Sequence, residues 1–278
     1  MYIVSGAKGQ LGSDVCAVLT EFNIPHKGID VDELDITDSA AVEDFFNKYT
    51  VTCFIHCAAY TAVDKAESEK ELCFAVNYKG TENIAKQCGK YGAKMLYIST
   101  DYVFGGIGET AFEVNDEKAP LNVYGESKLK GELAVKKHCD KHFIVRTSWV
   151  FGEKNTNFIA TMLRLSKTRD EINVVGDQIG SPTYSKHLAK LVCEIAQSNK
   201  YGEYHGTNEG YCSWSELAQE TFRVKAKNVK VNSVTTEEYP TPAKRPHNSR
   251  LSKKALDENG FSRLPHWKQA VEEYLNNI

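Results

Sequence analysis

No two of the eight cysteines in this chain have C-x-x-C spacing, so neither a dithiol redox pair nor a cysteine zinc site is written into it. Several lie in apolar runs such as "VTCFIHCAAY", where a free thiol behaves as a small hydrophobe. No disulfides and a reducing compartment are expected. No stretch approaches the roughly 18 apolar residues of a membrane span. The first residues contain "GAKGQLGSD", which is no signal-peptide core. There is no basic block, no acidic tail, no repeat and no low-complexity segment, and the net charge is −3. Nucleic acid and membrane surfaces are thereby excluded as expected partners, and a cytoplasmic protein is expected.

What is present fits a folded α/β protein. The chain has 278 residues, 41% hydrophobic and 26% charged, enough for one large domain or a domain with a smaller partner. The first half alternates short apolar strands ("YIVSG", "HKGID", "CFIHCAAY", "KMLYIST", "HFIVRTSW") with helical patterns ("LGSDVCAVLTEF", "KGTENIAKQCGKYG", "SKLKGELAVKKHC"). Gly92 is placed to cap one of those helices. Strands apolar on both faces, spaced by helices, predict a doubly wound, Rossmann-type parallel sheet. The second half is less regular. Ser213 and Glu216 form a capping-box pattern, and "EEYPTPAKRPHNSRL" reads as an extended loop. Residues 1–150 are expected to form a dinucleotide-binding domain, with 172–208 returning to it. Residues 151–171 and 209–278 are expected to form a smaller substrate-binding lobe over the carboxyl ends of the strands, where open sheets bind ligands.

"SGAKGQLG" follows the first strand and opens a helix. Its glycines, Gly6, Gly9 and Gly12, depart by one residue from the G-x-G-x-x-G fingerprint. The physical roles can still be met: a tight turn, close approach of backbone to a pyrophosphate, and close packing of helix on sheet. Asp30 ends the second strand, near the position of an acid that binds the adenosine ribose, although a turn aspartate fits equally well. Lys27 and His26 are near enough to accept a 2′-phosphate, so NADH and NADPH both stay open. In "LDITD", Asp35 and Ile36 can meet the adenine, and Asp38 can cap the next helix.

"NVYGESKLKG" sets Tyr124 four residues before Lys128. A surface pair at helical spacing is the plain reading. At about 100° per residue, however, Tyr124, Ser127, Lys128, Gly131 and Val135 share one stripe, whose small members imply close packing. A cation on an inward stripe needs a reason. A carbonyl accepting hydride needs a proton at its oxygen; tyrosine is a sluggish donor, and a neighbouring ammonium lowers its pKa. Leu129 and Leu133 lie on the other side of the helix and can meet a second chain or lobe. A hydroxyl to hold the carbonyl is offered by Thr100, or by its neighbour Ser99, at the end of "LYIST"; Thr100 is the preferred choice.

"SGAKGQLG", "AAYTAVDKAE", "STDYVFGG", "APLNVYGESKLKGE", "RTSWVFG", "DQIGSPTY" and "PTPAKRPHNSRL" follow one another along nearly the whole chain. In this order the sequence resembles the extended short-chain dehydrogenases, and within them the dTDP-4-dehydrorhamnose reductase family. That resemblance implies Thr100, Tyr124 and Lys128 as catalytic residues. It implies Gly9, Gln10 and Leu11 around the pyrophosphate, and Ala59, Tyr60 and Thr61 along the cofactor. It implies Val63, Thr100, Asp101 and Trp149 at the deoxysugar, although a tryptophan after an apolar strand is more often core. Arg245 and Arg250 suit a diphosphate, or an ion pair between lobes.

The implied reaction is NAD(P)H-dependent reduction of the C4 keto group of dTDP-4-dehydro-β-L-rhamnose to dTDP-β-L-rhamnose, the last step in making that sugar nucleotide. The implied partner is a nucleotide-sugar substrate, and the implied assembly a monomer or homodimer. Magnesium occurs at a dimer contact in some relatives; no acidic cluster here calls for it, and no metal ligand is expected. Two rival readings follow from the same superfamily. One is a nucleotide-sugar epimerase or dehydratase, which would hold its cofactor tightly and for which Asp101 stands beside Thr100. The other is a non-catalytic regulatory subunit resembling that of methionine adenosyltransferase.

Overall fold

The computed structural model describes all residues, 1–278. Side chains of a strand alternate between the two faces of its sheet, and here both faces are apolar. In chain order the elements of the first half are β1 (Tyr2–Ser5), α1 (Gln10–Glu21), β2 (His26–Ile29), α2 (Ser39–Lys48), β3 (Cys53–His56), α3 (Thr81–Tyr91), β4 (Lys94–Thr100), α4 (Val123–His138) and β5 (His142–Thr147). They continue with α5 (Phe158–Leu165), β6 (Glu171–Val175), α6 (Ser185–Gln197), β7 (Gly202–His205), α7 (Trp214–Val224), β8 (Lys230–Val234) and α8 (Trp267–Asn276).

Six strands form one parallel sheet in the order β7-β5-β4-β3-β1-β2. Val4, Cys53, Ile55, Leu96, Phe143 and Val145 share one core with α1 and α6. Ile3, Phe54, Met95, Tyr97 and Ile144 share the opposite one with α2, α3 and α4. Parallel neighbours require crossover helices, and covering both faces explains why these strands read as unbroken apolar runs. The chain leaves β1 for β2 on one side and returns to β3 on the other. This reversal opens a crevice at the carboxyl ends of β1 and β3, the ligand position of doubly wound sheets.

Local signals set the helix ends. Asp38 Oδ1 accepts from Ala40 N and Ala41 N at 2.9 and 3.1 Å, capping α2. Gly92, at φ +66°, ends α3 in the left-handed region. Ser213 and Glu216 make a reciprocal capping box at α7. Just before α3, a π-helical turn spans Ala75–Gly80.

The second lobe gathers α5, α7, α8 and the β6–β8 ribbon around Phe151, Ile159, Leu217, Phe222, Trp267 and Val271. Its borders differ from the sequence expectation. Helix α6 lies on α1 and β7 extends the large sheet, but β6, inside the stretch expected to return to that sheet, pairs with β8 instead. Only Ile172 and Val174 of β6 are fully buried, on one side, which suits a ribbon resting on a helix rather than a strand covered on both faces. Conversely Leu256, Phe261 and Leu264, expected in the substrate lobe, pack into the core of the large sheet.

All eight cysteines are free thiols, and no helix is long and apolar enough to cross a membrane.

Candidate active site

The turn between β1 and α1 is built by its glycines. Gly6 has φ +68°, a conformation that strains any residue with a side chain. A Cβ on Gly12 would stand 2.1 Å from Gly6 O, so only glycine lets the first turn of α1 ride over the strand end. Gly9 is the N-cap, and the first turn carries no acidic residue. The free amides of α1 therefore face the crevice with their partial positive charge uncompensated, the usual setting for a phosphate.

A cavity of about 840 Å³ runs from this turn along the sheet edge. Gly6, Gly9, Gln10, Leu11, Gly12, Asp30, Asp35, Ile36, Ala59 and Thr61 line it on the side of this turn. Asp30 is held by its own loop: its carboxylate accepts from Lys8 N at 3.1 Å and Val31 N at 3.0 Å. Lys8 Nζ pairs with Asp32 at 2.6 Å. Asp35 Oδ1 accepts from both the amide and the hydroxyl of Thr37, at 2.9 and 2.7 Å. Tyr60 is the exception among the expected cofactor residues. Its hydroxyl donates to Glu69 Oε2 at 2.5 Å, on the protein surface, and its ring does not line the cavity. Only its backbone serves the loop, donating to Asn77 Oδ1 at 2.8 Å and accepting from Asn77 Nδ2 at 3.0 Å.

At the other end Thr100, Asp101, Tyr124 and Lys128 converge. The stripe on α4 packs as its small residues require: a Cβ on Gly131 would lie 2.4 Å from the Tyr97 hydroxyl and 2.6 Å from Asn77 O. Asn77 also donates to Ser127 Oγ at 3.0 Å. Lys128, 2% exposed, donates to Ile98 O at 2.7 Å, and its ammonium stands 4.1 Å from the centre of the Tyr97 ring. Burial pulls its pKa down to about 7. Burial likewise pushes the Tyr124 phenol up, with the Thr100 hydroxyl opposing it. Here the electrostatics depart from the sequence expectation. Desolvation, which sequence spacing does not reveal, dominates both residues, and it moves the phenol up where a neighbouring ammonium alone would lower it. Thr100 Oγ1 donates to Asp101 Oδ1 at 2.9 Å and accepts from Tyr102 N at 3.2 Å. Burial raises the Asp101 carboxyl to about 6, with the hydroxyls of Ser249 and Thr100 opposing it.

Val63 and Trp149 also line this end. Arg245 does not. It makes a two-pronged ion pair with Asp64, Nη1 to Oδ1 at 2.9 Å and Nη2 to Oδ2 at 2.8 Å. Of the two readings open for Arg245, the geometry is that of the ion pair. Arg250 is likewise occupied, donating to Asn248 Oδ1 at 2.9 Å. Sequence reading missed Lys8, Thr147, Asn155 and Trp214, all on the cavity wall. Thr147 was within reach, because it pairs in register with Thr100 across β4 and β5; Trp214 comes from the other lobe and carries no local signal.

The cavity fits a nicotinamide dinucleotide on its own terms. Buried polar atoms without partners are rare and call for an explanation. Four of them, Gln10 Oε1, Ser99 Oγ, Asp101 Oδ2 and Thr147 Oγ1, belong to residues on this one wall. No group of three or more His, Cys, Asp or Glu side chains comes together in a way that could hold a metal ion.

Residues 1–278 match the model of a family described as the RmlD substrate binding domain. The chain is 38% identical to the spore coat polysaccharide biosynthesis protein SpsK of Bacillus subtilis, over 98% of this chain and 96% of that one. It is 40% identical to dTDP-4-dehydrorhamnose reductase of Escherichia coli, over 88% of this chain and 85% of that one. A crystal structure of dTDP-4-dehydrorhamnose reductase from Bacillus anthracis in complex with NADP superposes with a TM-score of 0.97. Its identity to this chain is 41%, with 100% of this chain and 99% of that one covered.

Proposed function

The chain belongs to the RmlD substrate binding domain family, and from that premise we propose that it reduces the C4 keto group of dTDP-4-dehydro-β-L-rhamnose to give dTDP-β-L-rhamnose, using NADPH or NADH in the cytoplasm. One observation carries the reading. Tyr124, Lys128 and Thr100 meet at one end of a cavity whose other end is a glycine turn at a helix N-terminus. The free, mostly buried thiols suit a reducing compartment.

Gly6, Gly9, Gln10, Leu11 and Gly12 would hold the pyrophosphate, Asp30 the adenosine ribose, and Asp35 and Ile36 the adenine. Ala59 and Thr61, with the backbone of Tyr60, would lie along the cofactor. Lys128 would reach the nicotinamide ribose. Bound there, the reduced nicotinamide supplies a hydride. The hydroxyl of Tyr124 gives its proton to the C4 oxygen. Burial keeps that phenol protonated, which is the state a donor needs at neutral pH. The phenolate left behind is stabilised by the ammonium form of Lys128, poised by its pKa of about 7 to carry charge when charge is required. Thr100, whose hydroxyl proton is directed at Asp101 in the unliganded site, would turn that proton to the carbonyl. Val63, Asp101 and Trp149 would bound the deoxysugar.

The test is turnover. The wild-type chain should oxidise NADPH or NADH only when the 4-keto sugar nucleotide is present. Tyr124→Phe should lower turnover by roughly 10²–10⁴-fold, the usual size of general acid catalysis, while the dissociation constant for the reduced nucleotide stays near the wild-type value. Undiminished turnover in Tyr124→Phe refutes the assignment. A protein that purifies with its nicotinamide bound and shows no net oxidation would support the epimerase or dehydratase reading instead.

A further inference from the structure

We infer that Trp214 is a positioning residue for the sugar nucleotide: stacked on Trp149, it fixes the aromatic wall against which the deoxysugar rests. The inference rests on the reading of Trp149 as a sugar contact and extends it to a residue of the other lobe.

Trp149 follows β5 and has φ +50°. A bulky residue in the left-handed region is a backbone outlier that its surroundings must hold in place. Three neighbours do so. The indole of Trp214 stacks on that of Trp149 with centroids 3.7 Å apart and planes 15° from parallel. Gly180 leaves room for the indole where any side chain would collide, since a Cβ there would lie 2.9 Å from Trp149 Cε2. The Trp149 carbonyl accepts from Thr183 N at 3.2 Å.

Trp214 is itself well braced. It is the first residue of α7. The capping box fixes its backbone, with Ser213 N donating to Glu216 Oε2 at 2.7 Å and Glu216 N donating to Ser213 Oγ at 3.1 Å. Phe158 packs against it, ring centroids 4.7 Å apart. Both tryptophans are partly exposed, and both line the cavity beside Thr100 and Asp101. A tryptophan kept half open on a cavity wall presents apolar surface to a ligand. The C–H face of a pyranose and the methyl group of a 6-deoxysugar are the matching chemistry. The strained Trp149 supplies that surface, and Trp214 removes its freedom to move away.

The experiment uses the full chain with Trp214→Leu, which keeps apolar bulk, and Trp214→Phe, which keeps a planar ring. Turnover kinetics with the sugar nucleotide are measured beside the dissociation constant for NADPH and the thermal midpoint. Circular dichroism reads the couplet expected of two stacked indoles; the third tryptophan, Trp267, stacks on neither. The expected result is loss of the couplet in both variants. KM for the sugar nucleotide should rise roughly threefold to tenfold in Trp214→Leu, as for loss of one aromatic pair. KM should recover towards wild type in Trp214→Phe, with NADPH affinity unchanged in both. Equal KM in all three proteins overturns the inference. So does a parallel fall in NADPH affinity and thermal midpoint, which would mark Trp214 as a packing residue only. Absence of turnover in the wild type overturns the reductase reading itself, and is seen before any variant is made.

Discussion

Replacing Lys128 by methionine should make the protein more stable at neutral pH while abolishing its turnover. Burial pulls this lysine from 10.5 to about 7, and it is 2% exposed, so solvent does not screen the effect. At about 1.4 kcal/mol per pH unit, the fold bears a cost of roughly 4 kcal/mol at pH 7 for keeping the lysine inside. Methionine has a similar shape and no charge. It also leaves Ile98 O without the donor now 2.7 Å away, a loss of about 1–3 kcal/mol. The net gain is roughly 2 kcal/mol, a rise of about 5 °C or a little more in the thermal midpoint.

The pH dependence isolates the cause. Between about 7 and 10.5 the unfolded chain binds a proton on Lys128 that the folded chain does not. Wild-type stability therefore rises with pH across that window, and the methionine variant lacks this contribution. Thermal unfolding of the two proteins side by side, from pH 7 to pH 10, should show the advantage of the variant closing as pH rises. Other titrating groups are common to both proteins and cancel in the difference. A variant less stable at pH 7, or a gap that stays constant with pH, would refute the claim that the site holds its lysine against desolvation.

The glycine turn separates two roles by substitution. Gly12→Ala puts a methyl group 2.1 Å from a backbone oxygen. It should destabilise the fold by about 1–3 kcal/mol, read as a lower thermal midpoint. Gly9→Ala meets only Gly6 O, at 3.1 Å, and should keep most of its stability while losing affinity for NADPH in calorimetric titration. The Arg245–Asp64 pair predicts a coupling of roughly 0.5–1 kcal/mol in a double-mutant cycle of unfolding. Arg245→Ala should change KM for the sugar nucleotide no more than Asp64→Ala does, and a much larger effect of the arginine alone would restore a diphosphate role.

Much of this fold could be read in advance because its signals are local. The glycine turn, the Asp38 and Ser213 caps and the Gly92 stop each depend on residues within a few positions of one another. So does the Tyr124–Lys128 spacing, which helical geometry converts directly into a shared face. What escaped depends on distance along the chain. Asp64 and Arg245 are 181 positions apart, and nothing near Arg245 announces that its charge is already matched. Residues 171–175 have a partner in 230–234 that strand periodicity alone does not choose. Tyr60 turns its ring outward because its loop is pinned through Asn77, and loop side chains follow no period.

Tyr124 and Lys128 show a further gap, between where residues lie and how they titrate. Spacing brought tyrosine and lysine to one face and suggested a cation that acidifies a phenol. In the fold both are taken out of water, and burial moves them in opposite senses, the phenol up and the ammonium down. Each is thereby biased towards its neutral form. For a reductase this is the useful direction, since the reaction consumes a proton at the carbonyl oxygen and the donor must hold it until hydride arrives. Charge on Lys128 would then be worth most at the moment a phenolate formed, since opposite charges attract more strongly in a low-dielectric pocket than in water. A pair ionised in the resting state would have spent that attraction before the reaction began. The same burial that weakens the fold at neutral pH thus favours an interaction strongest in the transition state, which is why stability gained by Lys128→Met should come together with lost turnover.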